Sequence, residues 1–344
     1  MHRRSFLKTG GSLAFGFFGV YCSLSQSRAA DSAVDDFLIR NLDRVTTNLM
    51  TETKVPGVAI ALVRDGNLFW SGGFGIKSTD GENTGDADTI FEAASVSKTI
   101  FAYAILKLCD QGKLDLDRPL TKYVPWRFLE NDPRLDQITA RHILSHSAEH
   151  VAGNSSAPRD DQQHLSGNRT PVQKMAHGHD GRLKAKPPAR ARGSDVARYG
   201  SAGGLLTTAN DYAKFIIEIV NPEPEPKNAE KTRNNFRLSA ARRAEMFKPQ
   251  IKLPADQLID GATSWALGWA VQERDDGHYL VHSGGQSGFR SLAMWPLPKT
   301  APASSSSPTA TMAANSSTTR SCTDCLIAFL PLLEPALSDS PNPR

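Results

Sequence analysis

The chain has no apolar run long enough to cross a bilayer. Its one mildly hydrophobic stretch near the start, Leu13 to Tyr21, falls well short of the roughly 20 residues a spanning helix needs. No stable membrane span is therefore expected in the mature protein. Cysteine is equally scarce. Four in 344 residues do not make a disulfide framework, and Cys109 falls on the apolar face of a helix, where it reads as a small buried hydrophobe. Charge of one sign is missing too. Lys and Arg number 40 against 36 Asp and Glu, and the net charge of +4 argues neither for nor against nucleic acid. None is expected as a partner. The basic stretch "RLKAKPPARARG", Arg182 to Gly193, carries two prolines and reads as a solvated loop rather than an anion-binding patch. What is left is an ordinary globular balance, 39% hydrophobic and 22% charged, with length for one large domain or two modest ones.

The first residues, "MHRRSFLKTGGSLAFGFFGVYCSLSQSRAADS", pair Arg3 with Arg4, follow with the short apolar run, and end on small residues around Ala29 and Ala30. That is the layout of a twin-arginine export signal over residues 1–30. A periplasmic or secreted mature protein is the expectation.

Beyond the signal, Phe37, Leu38, Leu42, Val45 and Leu49 recur on one helical face. "PGVAIALVRDGNLFWSGGFG" then places two apolar runs around Asp65-Gly66, a hairpin pattern. In "FEAASVSKTIFAYAILKL", Ile100, Phe101, Ala104, Ile105 and Leu108 keep helical spacing, and Gly112 ends the helix. "ITARHILSHSA" is a second helical stretch, and Thr207 or Thr208 is placed to cap a helix running to Val220. "SWALGWAVQERDDGHYLVHSGGQSGFRSLAM" supplies two strands joined at Asp276-Gly277. Two segments break the pattern. Residues 149–176 have almost no apolar periodicity, and residues 295–344 are low in complexity; both read as irregular or disordered.

Ser95 and Lys98 stand at i and i+3, so on a helix their side chains emerge on one face. A serine at a helix start meets free backbone N–H groups that suit developing negative charge, and a desolvated lysine beside it can take its proton. The spacing is weak by itself. Random usage gives about one S-x-x-K in a chain of this length, Ser5 and Lys8 form another, and a helix cap with an exposed lysine looks the same. The order of the neighbours adds information: "TIFEAASVSKT", "HILSHS", "AGGLLTTANDYAKF" and "LGWAVQERDDGHYLVHSGGQSGFRS". In that order the chain resembles the serine hydrolases of the penicillin-binding and class C β-lactamase-like group, over roughly residues 33–148 and 177–294. The resemblance implies an α+β fold, an antiparallel sheet flanked by helices with a helical lobe beside it, in one domain over residues 31–294. It implies Ser95 as acyl-accepting nucleophile and Lys98 as its proton-handling partner. His282, Ser283 and Gly284 match the strand motif that lies along the substrate, and the backbone N–H groups of Ser95 and Gly285 would form the oxyanion hole. The implied reaction is acyl transfer to serine and hydrolysis of a β-lactam, a peptidoglycan peptide or an ester. No cofactor and no metal are implied; the partner is a small-molecule or peptide substrate.

The resemblance is incomplete. The group's second motif, a tyrosine or serine two residues before an asparagine, is not found where it belongs. Ser166-Gly167-Asn168 lies in the aperiodic segment, and Tyr199-Gly200-Ser201 adjoins a later motif. The segment 149–176 therefore reads as a shortened helical lobe. The tail suggests a shifted reading frame. If residues 304–318 are written in suitable codons, reading one base earlier gives IIILTNSDNGGKLIY, an apolar strand and turn such as the group carries after its third motif. On this reading the frame slips near Met294 or Trp295, and Cys322 and Cys325 are a C-x-x-C of no chemical meaning. Two alternatives stay open. One is an inactive homologue that binds without turning over. The other is a zinc protein built on His142, His146 and His150 at successive i+4 steps.

Overall fold

The computed structural model describes residues 37, 39–81, 84–124, 132–148, 174–180, 183–186, 200–220, 237–254, 261–275, 277–286, 288–297 and 325–331. The expected export signal, most of segment 149–176, Ser166 to Asn168, Tyr199, His150 and Cys322 lie outside them. The chain divides into two compact units at Lys54 and Val55, so the helix placed inside the 31–294 domain belongs to a unit of its own. The described part of the first unit is helix α1, residues 39–53. Its apolar stripe is not buried, for Phe37, Val45 and Leu49 are exposed.

The second unit is built on an eight-stranded antiparallel sheet. Its strands in chain order are β1 (Gly57–Arg64), β2 (Asn67–Gly75), β7 (Ile251–Lys252), β8 (Ser264–Trp265), β9 (Ala270–Arg274), β10 (Gly277–Gln286), β11 (Phe289–Pro296) and β12 (Cys325–Pro331). Their spatial order is β2-β1-β12-β11-β10-β9-β8-β7. The β1–β2 hairpin turns at Asp65 and Gly66, both at positive φ (50° and 69°), the backbone that an Asp-Gly turn supplies. Short pairs β3 (Phe91–Glu92) with β6 (Leu206–Thr207), and β4 (Gly178–His179) with β5 (Ala185–Lys186), complete the strands.

Helices flank the sheet: α2 (Ser97–Asp110), α3 (Ala140–Leu144), α4 (Gly200–Gly203), α5 (Ala209–Val220) and α6 (Ala240–Phe247). Thr208 accepts from Asp211 N at 3.0 Å and caps α5. Tyr212, Ile216 and Ile219 of α5 are fully buried and join Leu106, Trp269, Leu280, Phe289 and Trp295 in one core. Among the described residues no helix is long and apolar enough to cross a membrane.

Two irregular readings change. The end of segment 149–176 is ordered: Ile90 N donates to Lys174 O and Ala176 N to Ile90 O, with Met175 and Ala176 buried. The reading of 295–344 as structureless does not extend to Cys325–Pro331. This run, "CLIAFLP", is β12, paired with β1 from Ala59↔Phe329 to Val63↔Cys325 and with β11 from Phe289↔Pro331 to Met294↔Leu326. An apolar segment rich in β-forming residues closes the gap between two strands that would otherwise each present an open edge.

Candidate functional site

Ser95 sits in a tight turn rather than inside a regular helix. A single 3₁₀ turn, Ala94–Val96, leads straight into α2. Ala94 holds φ at 48°, which costs a non-glycine residue about 1 kcal/mol or more. Surrounding contacts hold it there. Ser97 Oγ donates to Ala94 O at 2.5 Å and accepts from Leu205 N at 3.0 Å, and Ala93 N donates to Leu205 O at 2.9 Å. From the sheet side, Ser291 Oγ donates to Ala93 O at 2.6 Å.

Lys98 follows one turn on. Its Nζ lies 2.8 Å from Ser95 Oγ and donates to Ala202 O at 3.1 Å. Burial lowers its pKa below 10.5 by disfavouring the charged form. A neutral amine here has a hydrogen for Ala202 O and a lone pair for the serine hydroxyl. No other hydroxyl is bonded to this amine among the described residues.

Strand β10 brings the expected strand motif to the turn. Along it His282 and Gly284 face inward, while Ser283 is half-buried and Gly285 exposed. Gly284 packs on the turn itself. A Cβ there would overlap the Ser291 hydroxyl and stand 2.7 Å from Ala93 O and 2.9 Å from Ser95 N. From His282 onward β10 pairs only with β11 among the described residues, because its pairing with β9 ends at Val281↔Ala270. On the side away from β11, Ser283 to Gly285 therefore have no strand partner among the described residues.

Of the expected substrate-binding strand motif, the His282 side chain is packed inside. The ring is buried against Trp265 and Trp269, at centroid distances of 5.8 and 6.4 Å. The cause is the period-2 alternation of the strand: if Gly284 must face the turn, His282 faces inward as well. Its Nδ1–H donates to Ser283 O at 2.6 Å, and Nε2 is buried with no hydrogen-bond partner among the described residues. Burial, helped by the charges at His146 and Lys98, holds its pKa down to about 3. His146 stacks on Trp265 at 4.0 Å.

Of the histidines of the zinc alternative, His142 and His146 are described and His150 is not. The ring of His142 is directed to Thr139 and that of His146 to Trp265, and no group that could hold a metal ion occurs among the described residues. Sequence reasoning missed Ser97, Ser291 and Ala202. The first two are lone hydroxyls and the third acts through its carbonyl, so none carries a spacing signal.

The model of the Beta-lactamase family matches residues 42–179 and, in a second overlapping segment, 164–301. The chain is 25% identical over 272 residues to the mitochondrial serine beta-lactamase-like protein LACTB of Homo sapiens, which covers 74% of this chain and 44% of that protein. It is 31% identical over 116 residues to esterase EstB of Burkholderia gladioli, 32% of this chain and 29% of the esterase. The chain thus spans less than half the length of these curated relatives. Among solved structures, an octameric penicillin-binding protein homologue from Pyrococcus abyssi matches with a TM-score of 0.59 at 17% identity, over 86% of this chain and 73% of that one. A beta-lactamase/D-alanine carboxypeptidase from Pseudomonas syringae matches with a TM-score of 0.59 at 13% identity, over 88% and 95%. At those identities the two structures speak for the fold.

Proposed function

The chain belongs to the Beta-lactamase family, and we propose that it is a serine hydrolase working by acyl transfer to Ser95. The observation that carries this reading is the 2.8 Å contact between Lys98 Nζ and Ser95 Oγ, made by a lysine whose burial favours the neutral amine. In the reaction, neutral Lys98 takes the hydroxyl proton as Oγ attacks the acyl carbon. The N–H groups of Ser95 and Gly285 hold the developing oxyanion, and Ser283 meets the substrate along the open edge of β10. Collapse of the intermediate breaks the bond to the leaving group, which receives its proton from Lys98. Water then attacks the acyl-enzyme with Lys98 again as base, releasing the acid and restoring the serine hydroxyl.

An ester is the substrate class the arrangement favours over a β-lactam or a peptide. Among the described residues a single amine handles every proton, and the alcohol of an activated ester departs with less need of protonation than an amine does. The twin-arginine pattern of residues 1–30 supports action outside the cytoplasm. The test is labelling with a fluorophosphonate and with a fluorescent penicillin, in the native protein and in Ser95→Ala. The reading expects fluorophosphonate labelling that Ser95→Ala abolishes. Labelling that survives the substitution, or no labelling of the native protein, rejects it. Hydrolysis of a p-nitrophenyl ester and of the p-nitroanilide of the same acid then decides the substrate class.

A further inference from the structure

The turn carrying Ser95 is held from two sides by hydroxyls that touch no part of the expected reaction. Ala94, at φ 48°, is in a region that alanine adopts only under constraint. On the helical side the constraint is Ser97, whose buried Oγ bridges Ala94 O (2.5 Å) and Leu205 N (3.0 Å). On the sheet side it is Ser291, also buried, whose Oγ reaches Ala93 O at 2.6 Å. Ser291 pairs across the ladder with Gly284, and the missing Cβ of that glycine is what gives its hydroxyl room.

We infer that Ser97 and Ser291 are positioning residues for acyl transfer: together they hold the strained turn so that the Ser95 N–H and Oγ stay fixed against β10. The inference rests on the reading of Ser95 as acyl acceptor. The physical reason is that a strained turn relaxes once its carbonyls lose their partners. A relaxed turn moves both the nucleophile and one oxyanion donor away from the strand that supplies the other. A merely structural hydroxyl would lower the stability of the whole unit and leave the chemistry of each folded molecule unchanged.

The experiment compares native protein with Ser97→Ala, Ser291→Ala, Ser97→Thr and a control, Ser239→Ala, which removes the N-cap of α6 far along the chain. Fluorophosphonate acylation is followed over a range of probe concentrations, and amide hydrogen exchange is read by mass spectrometry. The inference expects each alanine variant to slow the saturating acylation rate about five- to tenfold, the loss of one hydrogen bond, with the apparent binding constant unmoved. Exchange should quicken in the peptide spanning Phe91 to Thr99 and not in β1 and β2. Ser97→Thr, which keeps the hydroxyl, should recover the rate, and Ser239→Ala should lose stability without losing rate. Unchanged acylation in both alanine variants overturns the inference, as does exchange that quickens uniformly. If the native protein is not acylated, the hydrolase reading fails, and exchange alone decides whether the clamp exists: quickening confined to the turn supports it, and uniform or unchanged exchange overturns it.

Discussion

Acidifying the protein from about pH 8 to about pH 5 probes the burial of His282 in a window where few other side chains change charge. The ring is closed in by Trp265 and Trp269, donates to Ser283 O, and has its pKa pushed from 6.5 down to about 3 by desolvation. Because the folded value lies below the unfolded one, the unfolded chain binds the extra proton between those limits. The stabilisation is therefore complete above pH 6.5 and is lost as the pH falls. Each unit costs about 1.4 kcal/mol, so at pH 5 the loss from this one ring is about 2 kcal/mol. His146 moves the same way, to about 4, through burial and the charge of Lys98. Its side chain keeps an exposed edge, so solvent screens its share. His179, lowered by burial, adds in the same direction. The difference between native protein and His282→Leu isolates His282. Urea unfolding, followed by tryptophan fluorescence across this range, should show the variant losing about 2 kcal/mol less than the native protein. If Leucine disrupts the fold, His282→Gln gives the same comparison. Equal pH dependence in native protein and variant would refute the buried, neutral imidazole.

Lys98→Ala should slow acylation by about two to four orders of magnitude, the usual contribution of a positioned base, with the fold retained by circular dichroism. In the native protein the acylation rate should rise with pH and level off below the ordinary lysine value of 10.5; a limb at or above that value speaks against the neutral amine. Gly284→Ala should cost about 1–3 kcal/mol in urea unfolding through overpacking, because its Cβ would press on Ser291, Ala93 and Ser95 together. Native-like stability there would mean that β10 does not lie on the turn. Ala328→Pro removes an N–H from a strand paired on both sides, opposite Ile60 and Leu292, and should leave the protein insoluble or much less stable. Unchanged solubility and midpoint would take Cys325–Pro331 out of the sheet.

The parts of the site that were legible in the sequence are those that depend on spacing. Ser95 and Lys98 announce themselves because a helical turn brings i and i+3 together, and the Asp65-Gly66 hairpin because its backbone favours that dipeptide. The motif His282 to Gly284 was legible as a strand, but not in its orientation. Knowing that Gly284 must face the Ser95 turn fixes which way His282 points, and that requirement lies in the packing. Ser97 and Ser291 were illegible for a plainer reason: a lone serine becomes a clamp only by what stands opposite it. The tail hid β12 because its composition before Cys325 is that of a disordered segment, and strand pairing depends on which edge is vacant as much as on propensity.

The turn is held largely by residues distant from it in sequence. Besides the local bond from Ser97 to Ala94 O, the contacts that hold it come from far along the sequence: Lys98 to Ala202 across 104 residues, Leu205 to Ser97 across 108, Ser291 to Ala93 across 198. The cost of closing such long loops grows only slowly with their length, so the length of the intervening chain matters little for the turn itself. Among the described residues no hydroxyl other than that of Ser95 bonds to Lys98. The amine instead finds the carbonyl of Ala202, which can accept a hydrogen bond but has no proton to pass on. The geometry of attack is thus held by distant parts of the chain, while among the described residues the route for the leaving group's proton runs through Lys98. That is the physical ground for expecting activated esters to be cleaved ahead of amides.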